Sequence, residues 1–128
     1  MKTSENIIRT YAQALKDNDY QTIIGLFSKE AKVFSYQGGE KTPSIFFQSL
    51  FENSCRTKVE IKNILVDSEN DKIVAAYIYI DTIWNKQTII QFEAVDIFEF
   101  DKENKIKKLK IILDTYPIRK LKEKSVTD

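Results

Sequence analysis

Apolar positions along the chain repeat first at helical spacing and then in alternation, which divides it into a helical first part and a strand-forming remainder. From Ser4 to Lys16, Ile7, Ile8, Tyr11 and Leu15 fall on one face of a helix. Asp17-Asn18-Asp19 interrupts that pattern and offers a cap for a second short helix, from about Tyr20 to Ser28, that buries Ile23, Leu26 and Phe27. Ala31 to Tyr36 reads as a short strand ended by Gln37-Gly38-Gly39. Thr42-Pro43 opens a third helix, because threonine is a capping residue and proline suits the first helical position. The apolar face of that helix carries Phe46, Phe47, Leu50 and Phe51. Alternation takes over from Lys58, with strands predicted over Lys58 to Val66, Lys72 to Trp84, Thr88 to Phe100 and Lys105 to Tyr116. Strands of this length, roughly twice the usual, fit a small domain only if they bend. The fold class is therefore α+β, with three N-terminal helices packed in the concave face of a strongly curved antiparallel or mixed sheet around an internal pocket. One domain is expected over 1–118, followed by a polar C-terminal tail over 119–128.

The fourth predicted strand alternates most clearly. Ile90, Phe92, Ala94, Asp96, Phe98 and Phe100 share one face, and Gln91, Glu93, Val95, Ile97 and Glu99 the other. The first set is the core face, so Asp96 stands in a row of aromatic and aliphatic side chains, where it must be hydrogen-bonded or stay protonated. Burial among Phe92, Phe98 and Leu109 raises the expected pKa of its carboxyl. Two registers are open for the preceding strand. A two-residue turn near Asn85 to Gln87, the commoner hairpin form and the one expected here, turns Tyr77, Tyr79, Asp81 and Ile83 inward. A three-residue turn brings Ile78 and Ile80 inward instead. On the other side, a four-residue loop from Asp101 to Asn104 sets Leu109, Ile111 and Leu113 beside Asp96.

Composition narrows the chemistry. Hydrophobic residues make up 42% and charged residues 30% of the 128, the balance of a folded globular chain. Twenty basic against nineteen acidic side chains leave a net charge of +1, which provides no general attraction to nucleic acid or anionic lipid. The run Lys105, Lys107, Lys108, Lys110 reads as a solvated hairpin end or a local anion patch. The apolar run Ile73 to Ile80 is too short to span a bilayer, and Met1 to Ser4 leads into a polar helix start without a signal-peptide core. A lone Cys55 makes a reducing cytoplasm the expected compartment and has no base beside it that would make it a nucleophile. The chain has no histidine, which removes the commonest general base and the usual zinc ligand. No metal and no cofactor is expected, and acid–base chemistry falls to Asp, Glu, Tyr, Lys or Cys55.

The stretch YAQALKDNDYQTIIGLFSKEAKVFSY, the GG-x-x-x-x-P lead into the third helix and the stretch VDIFEFDKENKIKKLKIILD resemble the nuclear transport factor 2-like superfamily, in its ketosteroid-isomerase-like and SnoaL-like (polyketide-cyclase-like) branch. The resemblance covers about residues 5–117 and implies a cystatin-like α+β cone with an internal pocket. It also implies that Tyr11 stands where steroid isomerases carry an oxyanion-hole tyrosine, and Asp96 where they carry a protonated aspartic acid. The latter is a standard case of a carboxylic acid kept neutral by an apolar site. The family's catalytic base aligns with Ser35, which has no basicity near neutral pH. Asp81, in the preferred register, and Asp114, which resembles a late-strand aspartate of SnoaL-like members, are the candidate substitutes. The third helix lines the cavity mouth in this fold. The residues expected around the pocket are thus Leu15, Ser35, Phe47, Phe51, Tyr77, Tyr79, Phe92, Phe98, Ile111 and Leu113.

Each of these residues also has a plain structural role open to it: Asp96 as a carboxyl bonded to Tyr11 or Tyr77, Tyr11 as an amphipathic core residue, the helix-three aromatics as core. Two functions follow. One is a small-molecule enzyme of isomerase, cyclase or hydratase type that polarises a carbonyl with Tyr11 and Asp96. The other is a non-catalytic module that holds a small hydrophobic molecule or serves in dimerisation. The outward face of the sheet, read as Val95 and Ile97 with Val74, Ile78, Ile80 and Ile112, is expected to pair two copies of the chain.

Overall fold

Helix α1 (Lys2–Asp17) ends where Asn18 takes a left-handed backbone conformation, with φ of 53°. In the computed structural model, which describes residues 2–36 and 39–120, the Asp19 N–H turns back to the Ala14 carbonyl at 2.9 Å and satisfies an end carbonyl of the helix. The Asp19 carboxylate then caps helix α2 (Tyr20–Gly25) by accepting from the Thr22 N–H at 3.2 Å. Helix α2 stops short of the Ser28 expected from the pattern, because Phe27 already starts strand β1 (Phe27–Ser35), aligned with Ile106 of the last strand. A three-residue strand β2 (Gly39–Lys41), which the alternation did not reveal, folds back on β1. Helix α3 (Pro43–Asn53) is capped by the Thr42 hydroxyl, which accepts from the Ile45 N–H at 3.4 Å.

Four strands follow: β3 (Ser54–Val66), β4 (Ile73–Trp84), β5 (Thr88–Phe100) and β6 (Ile106–Leu113). The six-stranded sheet has the order β2-β1-β6-β5-β4-β3 and is mixed, with β1 and β6 parallel and the other neighbours antiparallel. Strand β3 begins well before Lys58 because Ser54 and Arg56 pair with Trp84 and Thr82. Strand β6 ends before Tyr116, where the Asp114 carboxylate accepts from the Tyr116 N–H at 3.0 Å and turns the chain. Gln37, Gly38 and residues 121–128 of the expected tail lie outside the described residues; 116–120 are helical. No helix among the described residues is long and apolar enough to cross a membrane.

The β4–β5 register departs from the preferred expectation. The connection is Asn85-Lys86-Gln87, closed by Gln87 N–H to the Trp84 carbonyl at 3.2 Å, with Asn85 and Lys86 at φ of 51° and 64°. Trp84 therefore pairs with Thr88 and Ala76 with Asp96. Across an antiparallel pair opposed residues share a face, so Ala76, Ile78, Ile80 and Thr82 join the inner row with Asp96, and all four are buried. Tyr77, Tyr79, Asp81 and Ile83 move to the outer face. Val74, Ile78 and Ile80, assigned from the sequence to the outer face, belong to the interior. On the far side of β5, Leu109, Ile111 and Leu113 stand opposite Phe98, Asp96 and Ala94, as the sequence implied. The core consists of the inner rows of the sheet and the apolar faces of the helices, centred on Ile8, Tyr11, Ile23, Phe47, Phe98, Ile106 and Leu109.

Candidate functional site

The inner row of β5 serves two ends of the molecule. Phe98 and Phe100 are packed into the core, whereas Ile90, Phe92, Ala94 and Asp96 line a cavity of about 640 Å³. This is within the roughly 300–1,000 Å³ of small-molecule sites. Helix α1 contributes Tyr11 and Leu15, α3 contributes Phe46 and Leu50, and β6 contributes Ile111 and Leu113. Ser35 and Tyr36 border it at the end of β1, and Thr82, Trp84 and Asn85 at the β4–β5 turn. Asp96 sits where the row passes from cavity to core.

Tyr11 is 1% exposed and Asp96 3% exposed. The Tyr11 ring stands edge-on to Phe47 and Phe98, with centroids 6.1 and 5.1 Å away, so its orientation is set by packing. Its hydroxyl lies near enough to the Asp96 carboxyl for each group to shift the titration of the other. Burial pushes the Asp96 carboxyl up to about 7, against the opposing pull of the Tyr11 hydrogen bond. The Tyr11 hydroxyl is held well above the ordinary tyrosine value, first by burial and then by the Asp96 charge. Tyr11 thus stays a neutral donor, while Asp96 exchanges its proton near neutral pH. The Asp96 Oδ1 is buried and has no hydrogen-bond partner among the described residues. A buried polar atom left unpaired costs about 1–3 kcal/mol, so a polar ligand atom is favoured there.

Arg56 also lines the cavity, although it precedes the strand predicted from Lys58 and the sequence pattern does not single it out. Its Nε donates to the Leu15 carbonyl at 2.8 Å, Nη1 to the Ser54 Oγ at 3.0 Å, and Nη2 to the Asn18 Oδ1 at 2.5 Å and the Ser54 carbonyl at 3.2 Å. The guanidinium therefore ties the carboxyl end of α1 to the start of β3. Burial lowers its pKa to about 10, which leaves it charged at neutral pH.

The remaining candidates divide. Leu15, Ser35, Phe92, Ile111 and Leu113 line the cavity with Tyr11 and Asp96. Phe47 and Phe51 do not: on α3 the pair Phe46 and Leu50 faces the cavity, while Phe47 packs on Tyr11 and Phe27, and Phe51 packs on Phe47. Phe98 lies past Asp96 in the core. Tyr77 and Tyr79 are on the outer face, where the Tyr77 hydroxyl donates to the Glu93 carboxylate. Asp81 is on that face too, where its Oδ1 is buried with no hydrogen-bond partner among the described residues, and Asp114 is exposed at the end of β6. Neither carboxylate lines the cavity, so the structure does not bring them to Ser35 as the candidate substitutes the sequence suggested. Among the described residues no group of three His, Cys, Asp or Glu side chains could hold a metal ion.

No protein-family model matches the sequence, and neither does any curated protein sequence. Solved structures do match. An LEH-like epoxide hydrolase of M. tuberculosis superposes with a TM-score of 0.75 at 15% identity, over 99% of this chain and 98% of that one. SalBIII, an epoxide hydrolase/cyclase-like enzyme with a role in pyran ring formation in the polyether salinomycin, superposes at 0.75 with 17% identity, over 91% and 94%. A computationally designed 17-OHP binder superposes at 0.76 with 10% identity, over 90% and 95%. The chain has the cystatin-like α+β fold of the NTF2-like and SnoaL-like proteins, with a sheet that does not close on itself.

The shifted carboxyl makes stability depend on pH. The unfolded chain releases the Asp96 proton near the ordinary value of 3.8, and the native chain holds it to about 7. Between those values the native state binds more protons, so this contribution is full below 3.8 and is lost as pH rises through 7. The slope is up to about 1.4 kcal/mol per pH unit. Urea unfolding of wild type and Asp96→Asn across that window should give curves that converge at low pH and separate above it, with the Asn protein at least as stable at pH 8. A parallel pair of curves, or a large loss of stability in Asp96→Asn at pH 8, would mean an ionised and paired Asp96.

Proposed function

We propose that the chain binds a small, largely apolar molecule bearing a carbonyl or hydroxyl oxygen, and that Tyr11 and Asp96 take that oxygen at the inner end of the cavity. The observation that carries this reading is that Asp96, a buried carboxyl whose Oδ1 has no partner among the described residues, borders an otherwise mainly apolar cavity. A protonated Asp96 and the Tyr11 hydroxyl are both donors suited to a carbonyl oxygen. That the same fold is used by a designed 17-OHP binder and by an enzyme of pyran ring formation supports a small organic ligand.

Turnover is the second reading, favoured by the placement of a buried carboxyl, Asp96, against the cavity: burial raises its pKa to about 7, where a group both gives and takes a proton. Asp96 is the only carboxyl group among the described residues lining the cavity. A reaction here would rest on a polarised carbonyl and a single proton relay through Asp96, as an isomerisation or ring closure can. A mechanism with separate carboxylate acid and base is not supplied.

The chain has one tryptophan, Trp84, and it borders the cavity, so its fluorescence reports occupancy. Titration with cyclic ketones and with hydrocarbons of matched size should shift Trp84 emission. The ketones should bind about tenfold more tightly, the worth of one hydrogen bond to an otherwise unpaired buried group. Equal affinity for the hydrocarbons would remove Tyr11 and Asp96 from the site.

The outer face of the sheet is proposed to pair two copies of the chain in the cytoplasm, the compartment the single Cys55 favours. With the register observed, that face offers Tyr77, Val95, Ile97 and Ile112, the last 47% exposed. Sedimentation at micromolar concentration should give a dimer for the wild type and a monomer for Ile97→Lys. A wild-type monomer would contradict the pairing.

A further inference from the structure

Arg56 brings a positive charge to the cavity that no acidic side chain among the described residues answers. It is 6% exposed and is the single cationic side chain among the described residues lining the cavity. Its four hydrogen bonds go to neutral acceptors: the Leu15 and Ser54 carbonyls, the Ser54 hydroxyl and the Asn18 side-chain amide. None of the ion pairs formed by described residues includes it. Leu15 is in the last turn of α1, whose carboxyl end offers about half a negative charge. The Phe51 ring, 5.3 Å from the guanidinium carbon, adds a weaker attraction. These partners hold the side chain in place and leave part of its charge uncompensated. A guanidinium has five N–H groups, and the four bonds use one on Nη1, so a second Nη1 N–H is unassigned. A clamp between α1 and β3 explains the four donors, but the charge that comes with them still faces whatever enters the cavity.

We infer that the cavity selects apolar molecules that carry a carboxylate, and that Arg56 is the binding residue for that group. The inference rests on the proposed reading of the cavity as a ligand site and narrows its ligand class. The walls formed by Phe46, Leu50, Ile80 and Phe92 take the apolar body. The Tyr11 and Asp96 pair takes a second oxygen, so a keto or hydroxy monocarboxylic acid satisfies both polar groups. Asp96 does not neutralise Arg56, since no ion pair joins them, and it is mostly protonated at pH 6.

The test uses 9-oxodecanoic acid, its methyl ester and 2-decanone, titrated calorimetrically at pH 6, where the free acid is ionised. The wild-type protein should bind the acid at least tenfold more tightly than the ester, and Arg56→Lys should keep a preference for the acid. Arg56→Gln should lose that preference, with melting temperatures confirming that both variants are folded. If a variant fails to fold, the wild-type comparison decides alone, because no other cation among the described residues borders the cavity. Binding of 2-decanone and the ester with no preference for the acid would overturn the role of Arg56 and leave the ligand cavity standing. No binding of any of the three would overturn the cavity reading as well.

Discussion

The three residues that join β4 to β5 decide what this protein presents to its interior. Asn85 and Lys86 both adopt left-handed backbone conformations, and the connection is one residue longer than the tightest hairpin. Because side chains alternate along a strand, that single residue exchanges the two faces of the whole of β4. Had the turn been shorter, Tyr77, Tyr79 and Asp81 would have crowded Asp96 with polar groups and a second carboxyl. With the turn as it is, Ala76 faces Asp96 directly and Ile78 and Ile80 stand beyond it. A small apolar neighbour denies Asp96 a cross-strand hydrogen bond, which is why its pairing depends on Tyr11 from the helix layer.

The two buried polar groups of the cavity are held differently. Asp96 is desolvated by its surroundings and keeps an oxygen unpaired, so it is electrostatically unsettled and titrates near neutrality. Arg56 is hydrogen-bonded on all three nitrogens and geometrically settled, yet its charge has no counterion among the described residues. Tyr11 stands between them on α1 and is influenced by both. Burying such groups without full partners lowers stability, and a ligand that supplies the missing partner recovers what is lost.

Much of the fold could be read from residue pattern alone, and the reasons differ by element. Strand β5 was legible because its alternation is clean, which placed Asp96 inside with no structure at hand. The α1 face was legible for the same reason, through Ile8, Tyr11 and Leu15. The β4 face was not, since Ile73 to Ile80 is apolar on both sides and only turn length could choose between them. Arg56 was hidden because the chain passes from α3 to β3 between Asn53 and Ser54 without a loop, so a residue in a strand read as one in a connection. Which of the α3 pairs faces the cavity, Phe46 with Leu50 or Phe47 with Phe51, depends on the roll of the helix. All four are apolar, and only packing against Tyr11 and Phe27 settles it. Strand β2 is too short to alternate visibly.

A carboxylic acid that stays protonated up to neutral pH borders both the core and the cavity. The most direct measurement is the pH titration of the Asp96 carboxyl carbon by NMR in the free protein, assigned by its loss in Asp96→Asn. A midpoint near 7 is the predicted result. A midpoint at or below the ordinary value of 3.8 would show an ionised, fully partnered carboxylate and contradict the account.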